Sequence, residues 1–261
     1  MAWYNENNPD NLNFIVAGNC HSGSELLQLS LSAHPEMVCH GDLLHPDEQI
    51  RQSEHEEYFG PSGKVPDWYL PKHLSAEQYL NNKIFDNALH EEVAIGVRIG
   101  YAMFSKYDLW EYADLQCRKG SFCVLHVTRN PVACFVEQCR RAPPPGDLPF
   151  PITQAENPDR VIELDPVELT DFVREHLSDE LKIDRLCSDR AVIPYHEMVL
   201  DFTGTMQQLS EFMGIRYSPA CIPNRKAIQL RDMWEFIGNW DELKAELPLD
   251  VLGQLENSVL L

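Results

Sequence analysis

The sequence is short of positive charge. Lys and Arg total 21 against 41 Asp and Glu, a formal net charge of −20. Such a field disfavours non-specific binding to nucleic acid or to an anionic membrane. An anionic ligand must then be captured by a local site working against the global potential. Solubility is the ordinary explanation of the acidity itself. Long apolar runs are also missing, and no segment reaches the length needed to span a bilayer. The opening residues, Met1-Ala2-Trp3-Tyr4-Asn5-Glu6-Asn7-Asn8, hold neither a basic nor an apolar segment, so no signal peptide is expected. The 8 cysteines, at 20, 39, 117, 123, 134, 139, 187 and 221, include no Cys-x-x-Cys pair, and several lie in apolar stretches. That pattern predicts reduced, mostly buried thiols in a cytoplasmic protein. His34, His40 and His45 lack a metal-ligand spacing with Cys or carboxylate, so they read as surface or structural histidines.

What is present suits a folded α/β chain. The 261 residues are 44% hydrophobic, enough for a substantial core in a single domain over 1–261. Strand patterns fall at Asn13 to Ala17, Glu36 to Cys39, Val93 to Ile99, Phe122 to Val127 and Ala191 to Pro194. Helical patterns fall at Ser24 to Ala33, Tyr107 to Cys117, Val132 to Arg141, Pro166 to Cys187, Thr203 to Met213 and, interrupted near Pro248, Asp241 to Leu261. Two proline-rich excursions, at about 45–75 and 143–165, are too long for simple connections. Alternating strands and helices predict a parallel sheet with helices on both faces. Ligands in such sheets bind beyond the carboxyl ends of the strands, where the loops after Ala17, Cys39, Val127 and Pro194 would converge.

The first of these loops has the chemistry of an anion site. In Gly18-Asn19-Cys20-His21-Ser22-Gly23-Ser24 the glycines admit close approach, and N–H groups at a helix start point at negative charge. Ser22 and Ser24 add hydroxyls. Cys20 is either an activated thiol at a helix N-terminus or a small residue tolerated in a loop. The Gly18-x-x-x-x-Gly23 spacing matches a nucleotide-binding loop, but Ser24 stands at its lysine position and Glu25 at its hydroxyl position. A magnesium-dependent nucleotide kinase or hydrolase is therefore poorly supported.

Gly18 to Leu27, followed by Ala33-His34-Pro35-Glu36, resembles the opening motif of sulfotransferases. Gly41-Asp42 looks like the Gly-Glu that follows in many bacterial members. Leu125-His126-Val127-Thr128-Arg129-Asn130-Pro131 is similar to the family's strand ending in Arg-Asn/Asp-Pro. Tyr195-His196-Glu197-Met198 resembles its Tyr-Glu-Asp-Leu segment, and Leu209 to Ile215 its Phe-Leu-Gly helix end. The resemblance covers residues 14–215 in order. It implies a P-loop NTPase-like sulfotransferase fold and the donor 3′-phosphoadenosine 5′-phosphosulfate (PAPS).

The resemblance then implies roles. Cys20, His21, Ser22, Gly23, Ser24 and Glu25 would surround the 5′-phosphosulfate. Arg129 would hold the 3′-phosphate as a forked donor. Glu137 falls where the family has a phosphate-binding Ser, and the basic pair Arg225 and Lys226 where a late loop closes over that phosphate. Asp42, flanked by His40 and His45, is the first candidate base. His21, in place of the family's Arg or Lys, would donate to the leaving group if protonated. Glu25 replaces a Thr but favours the helix dipole. Arg98, within an apolar strand, either pairs with a buried carboxylate or lines the cleft. Trp68 and Tyr69 either wall the acceptor site or pin their loop. The expected activity is sulfuryl transfer to a hydroxyl of a small-molecule or glycan acceptor. His21, Glu25 and Glu137 motivate the alternative, a donor-binding-deficient relative that binds a ligand or partner.

Overall fold

The computed structural model describes residues 12–41, 43–44, 75–85, 93–141, 160–186, 190–222 and 232–256. Strand β1 (Leu12–Gly18) leads into helix α1 (Ser24–Ser32), and β2 (Met37–His40) follows. A short α2 (Ala76–Tyr79) continues as a π turn over Leu80–Ile84. Then come β3 (Ala94–Gly100), α3 (Tyr101–Lys106), α4 (Leu109–Arg118), β4 (Phe122–Thr128) and α5 (Pro131–Arg141). The described chain ends with α6 (Pro166–Leu186), β5 (Arg190–Pro194), α7 (Tyr195–Leu200), α8 (Phe202–Met213), α9 (Trp240–Glu246) and α10 (Leu249–Glu256).

The strands form one sheet of order β2-β3-β1-β4-β5, and every pairing is parallel. β1 is central, with Gly18 aligned to Gly100 on one side and Ala17 to His126 on the other. Its side chains alternate. Phe14 and Val16 pack with Leu27 and Leu31 of α1 and with Met206 and Leu209 of α8. Ile15 and Ala17 pack on the opposite face with Tyr101, Phe104, Leu109 and Ile183, from α3, α4 and α6. A strand buried on both faces needs this continuous apolar run, which is how a parallel sheet is written in sequence. A third cluster joins Val136 of α5 and Val173 of α6 to Phe236, Leu243 and Val251.

The expected fold class holds, with local differences. The helix expected over Tyr107 to Cys117 is α4, and a further helix that was not expected, α3, precedes it directly at the end of β3. Asp108, at φ 53°, breaks the pair. Burial of Tyr101 and Phe104 draws α3 in, a tertiary cause invisible to local pattern. Residues 45–74 and 143–159 of the two expected excursions lie outside the described residues. The end of the second is tied down: Ile162 N–H donates to Phe236 O at 2.9 Å, and Gly238 N–H to Ile162 O at 2.8 Å. Among the described residues no helix is long and apolar enough to cross a membrane. Cys39, Cys117, Cys123, Cys134 and Cys221 are buried, while Cys20 is exposed.

Candidate anion site

β1 delivers the loop to the carboxyl edge of the sheet at its centre. Connections leave this point in both directions, from β1 towards β2 and from β3 towards β4. That switch is where open α/β sheets leave a crevice. The loop turns tightly: Ser22 N–H donates to Asn19 O at 3.2 Å, and Leu27 N–H to Gly23 O at 3.1 Å opens α1. His21 has φ 61° and Gly23 φ 95°. A Cβ on Gly23 would collide with the Tyr195 ring, and one on Gly18 would lie 2.6 Å from Ser22 Oγ. Gly18 is therefore required by close approach, and Gly23 by close approach and by its left-handed conformation.

Two features mark the loop as unfinished. Ser22 is 1% exposed and its Oγ has no hydrogen-bond partner. Burying such a hydroxyl unpaired costs on the order of 1–3 kcal/mol. No side chain caps the first amides of α1 either. Helix-start N–H groups and an orphan hydroxyl together make a donor set suited to an anion.

Arg129 bounds the loop. Its Nη1 donates to His21 O at 2.5 Å, and its guanidinium lies 4.2 Å from the centre of the Tyr195 ring. Its position depends on Asn130, whose Oδ1 accepts from the N–H groups of Val132 (2.9 Å) and Ala133 (3.2 Å). Asn130 thus caps α5 and Pro131 opens it, which explains the Arg-Asn-Pro order at the strand end. Glu137, two turns along α5, accepts from Arg140 Nη1 at 2.9 Å and Arg141 Nε at 3.3 Å.

His21 is pushed down to about 4, first by burial and then by the Arg141 charge; Arg129 adds to this, while Glu137 and Glu25 oppose it. The ring is neutral at pH 7. The protonated form considered from sequence is therefore not the one present, and any hydrogen bond it gives comes from a neutral N–H. Glu25 is exposed in the first turn of α1, as is Cys20 in the loop. Ser24 is buried. His34 is structural: Nε2 pairs with Arg216 O at 2.8 Å, and Nδ1 accepts from Glu36 N–H at 3.0 Å. Arg98 is half-buried in β3, where its charge bears on Cys39 of β2. Asp42, His45, Trp68, Tyr69, Arg225 and Lys226 lie outside the described residues.

Sequence reasoning missed a polar cluster behind the loop. Asn19 Nδ2 lies 2.8 Å from His176 Nδ1 on α6. The His176 ring meets Tyr101 edge-on, at 5.5 Å between centres. Tyr101 Oη lies 2.6 Å from His126 Nε2, and His126 Nδ1 is 3.4 Å from Asp184 Oδ1. Arg190 clasps Asp184, with Nη2 at 3.2 Å from the carboxylate and Nη1 donating to the backbone oxygen at 2.7 Å. Burial, above all, holds both His126 and His176 down to about 4, and raises Tyr101 and Glu180. A signal existed: His176, Glu180 and Asp184 recur every four residues on one stripe of α6, and His126 interrupts an apolar strand.

No family model matches the sequence, and no curated protein matches it. Among solved structures, the chain is similar to the sulfotransferase domain of the Synechococcus PCC 7002 olefin synthase, at 15% identity and TM-score 0.47, covering 98% of both chains. It is also similar to a sulfotransferase from Alicyclobacillus acidocaldarius, at 15% identity and TM-score 0.46 over 94% of both chains. A sulfotransferase from Mycobacterium avium matches at 12% identity and TM-score 0.46, over 91% of this chain and 75% of the other.

Proposed function

We propose that this protein is a sulfotransferase that moves a sulfuryl group from PAPS to a hydroxyl of a small-molecule or glycan acceptor. One observation carries the reading: the buried, unpartnered Ser22 hydroxyl beside the uncapped start of α1, with Arg129 closing the same loop. The four ordered sequence motifs narrow the anion to a phosphosulfate.

The donor set fits one end of PAPS well. The N–H groups of Ser22 to Glu25 and the Ser22 and Ser24 side chains would hold the phosphosulfate. Arg129 keeps donors beyond the one given to His21 O, and these would face the 3′-phosphate. When bound, the donor supplies an activated sulfuryl group and a good leaving group. The chain's own work is to hold the anion, orient the acceptor hydroxyl, donate to the bridging oxygen and take the acceptor's proton. Neutral His21 supplies the donor, and Asp42 is the base on sequence grounds. The net charge of −20 argues against a polyanionic acceptor.

A second reading has its own observation. Glu137 stands at the sequence position of the family's phosphate-binding Ser, and its carboxylate already holds Arg140 and Arg141. A protein in which that pairing persists would be a ligand- or partner-binding relative without donor chemistry. Incubation with PAPS and a panel of hydroxyl acceptors separates the two. Acceptor-dependent release of adenosine 3′,5′-bisphosphate is expected. No release and no binding at millimolar donor would overturn the first reading and leave the second.

A further inference from the structure

Asn19 ties the anion loop to the helix behind it. Its Oδ1 accepts from the Cys20 N–H at 2.8 Å, so Nδ2 is the end that faces His176. An amide nitrogen only donates, so His176 Nδ1 accepts, and the proton of the neutral ring sits on Nε2. His176 is 2% exposed and walled by Tyr101 and by Phe172, whose ring centre is 6.0 Å away. Tyr101 is itself fixed through His126 to Asp184 and Arg190. The ring therefore offers Nδ1 to Asn19 from a set direction.

We propose that His176 is a positioning residue of the anion loop: through Asn19 it holds the Cys20–Ser22 turn where the loop's N–H groups and the Ser22 hydroxyl face the ligand. This rests on the anion-site reading above. What matters is an acceptor at the Nδ1 position rather than the bulk of the ring. Asparagine can place its oxygen close to that position. Glutamine places its amide nearer Nε2, and phenylalanine fills the space without any acceptor.

The test uses the full chain with His176→Asn, His176→Gln, His176→Phe, Asn19→Ala and the Asn19→Ala/His176→Phe double variant. Two readouts are taken: amide hydrogen exchange at Ser22 in the ligand-free protein, and affinity for adenosine 3′,5′-bisphosphate. Loss of this bond should speed exchange and weaken affinity by about tenfold each in the Phe, Gln and Ala variants. His176→Asn should stay within about threefold of wild type, and the double variant should be no worse than the singles. Imidazole nitrogen shifts should place the His176 proton on Nε2. The proposal is overturned if the Asn variant is as impaired as Phe, if Phe leaves exchange unchanged, if the double variant is additive, or if the proton sits on Nδ1. Should His176→Phe fail to fold, the contrast between His176→Gln and His176→Asn decides the matter, because Asn19→Ala also removes the acceptor of the Cys20 N–H. A wild type that binds no bisphosphate would defeat the anion-site reading, while the exchange readout would still judge the role of His176.

Discussion

The loop after β1 is held from two sides by opposite means. On one side Arg129, a permanent charge, grips the His21 carbonyl and lies on Tyr195, with Glu137, Arg140 and Arg141 beyond. On the other side a neutral, buried chain runs from Asn19 through His176, and behind it Tyr101 is tied to His126. The first support carries charge that a ligand can use. The second carries none and serves by direction alone. Divided this way, the site gathers positive charge around the anion without burying a cation beneath the loop, where desolvation would be severe.

Acid should break the neutral side, with the largest effect. His126 and His176 are held near 4 against an ordinary 6.5. A depressed histidine leaves stability intact above the unfolded value and loses it as pH falls, because only the unfolded chain takes up protons between the two values. Stability should therefore drop between about pH 6.5 and 4, by up to about 3 kcal/mol for each ring. The groups facing them are Asp184, Arg190, Tyr101 and Asn19, together with each other. Urea unfolding across this range checks it; His21 is held down to about 4 as well, so His176→Asn should remove about a third of the histidine slope.

Arg129→Ala should break the charged side. Loss of a charge-assisted donor predicts a 10- to 100-fold weaker bisphosphate affinity, equivalent to about 1.5–3 kcal/mol. Arg129→Lys should recover only part of it, because a point charge cannot reproduce the fork over Tyr195. Calorimetric titration of both variants reads this directly.

The difference between the sides also shows in what the sequence disclosed. All five strands of the described sheet were legible, because runs such as Phe122 to Val127 are apolar but for His126 and lie between turn residues. Arg129 was legible because a charged residue ending such a run demands a partner. The neutral support was not. His176 and Asp184 lie 50 and more residues beyond His126 in the chain, and only the packing of α6 on the sheet brings them together. The loss of charge at His21 was also hidden, because it depends on burial and on Arg141 of α5.

Smaller changes sharpen the comparison. Glu137→Ser should release Arg140 and Arg141 and tighten bisphosphate binding a few-fold, at a stability cost of about 1–3 kcal/mol, because Glu137 and Arg140 are mostly buried. Melting curves and titration together check both signs. Glu25→Gln should act least. Its side chain is exposed, so affinity should rise by no more than about twofold and the helix should lose about 0.3–1 kcal/mol.

Titration of the unmodified protein with adenosine 3′,5′-bisphosphate tests the central claim most directly. Saturable binding of one ligand per chain, with amide shifts at Ser22, Gly23 and Ser24, is the predicted result. An absence of heat and of loop shifts at millimolar ligand would contradict it.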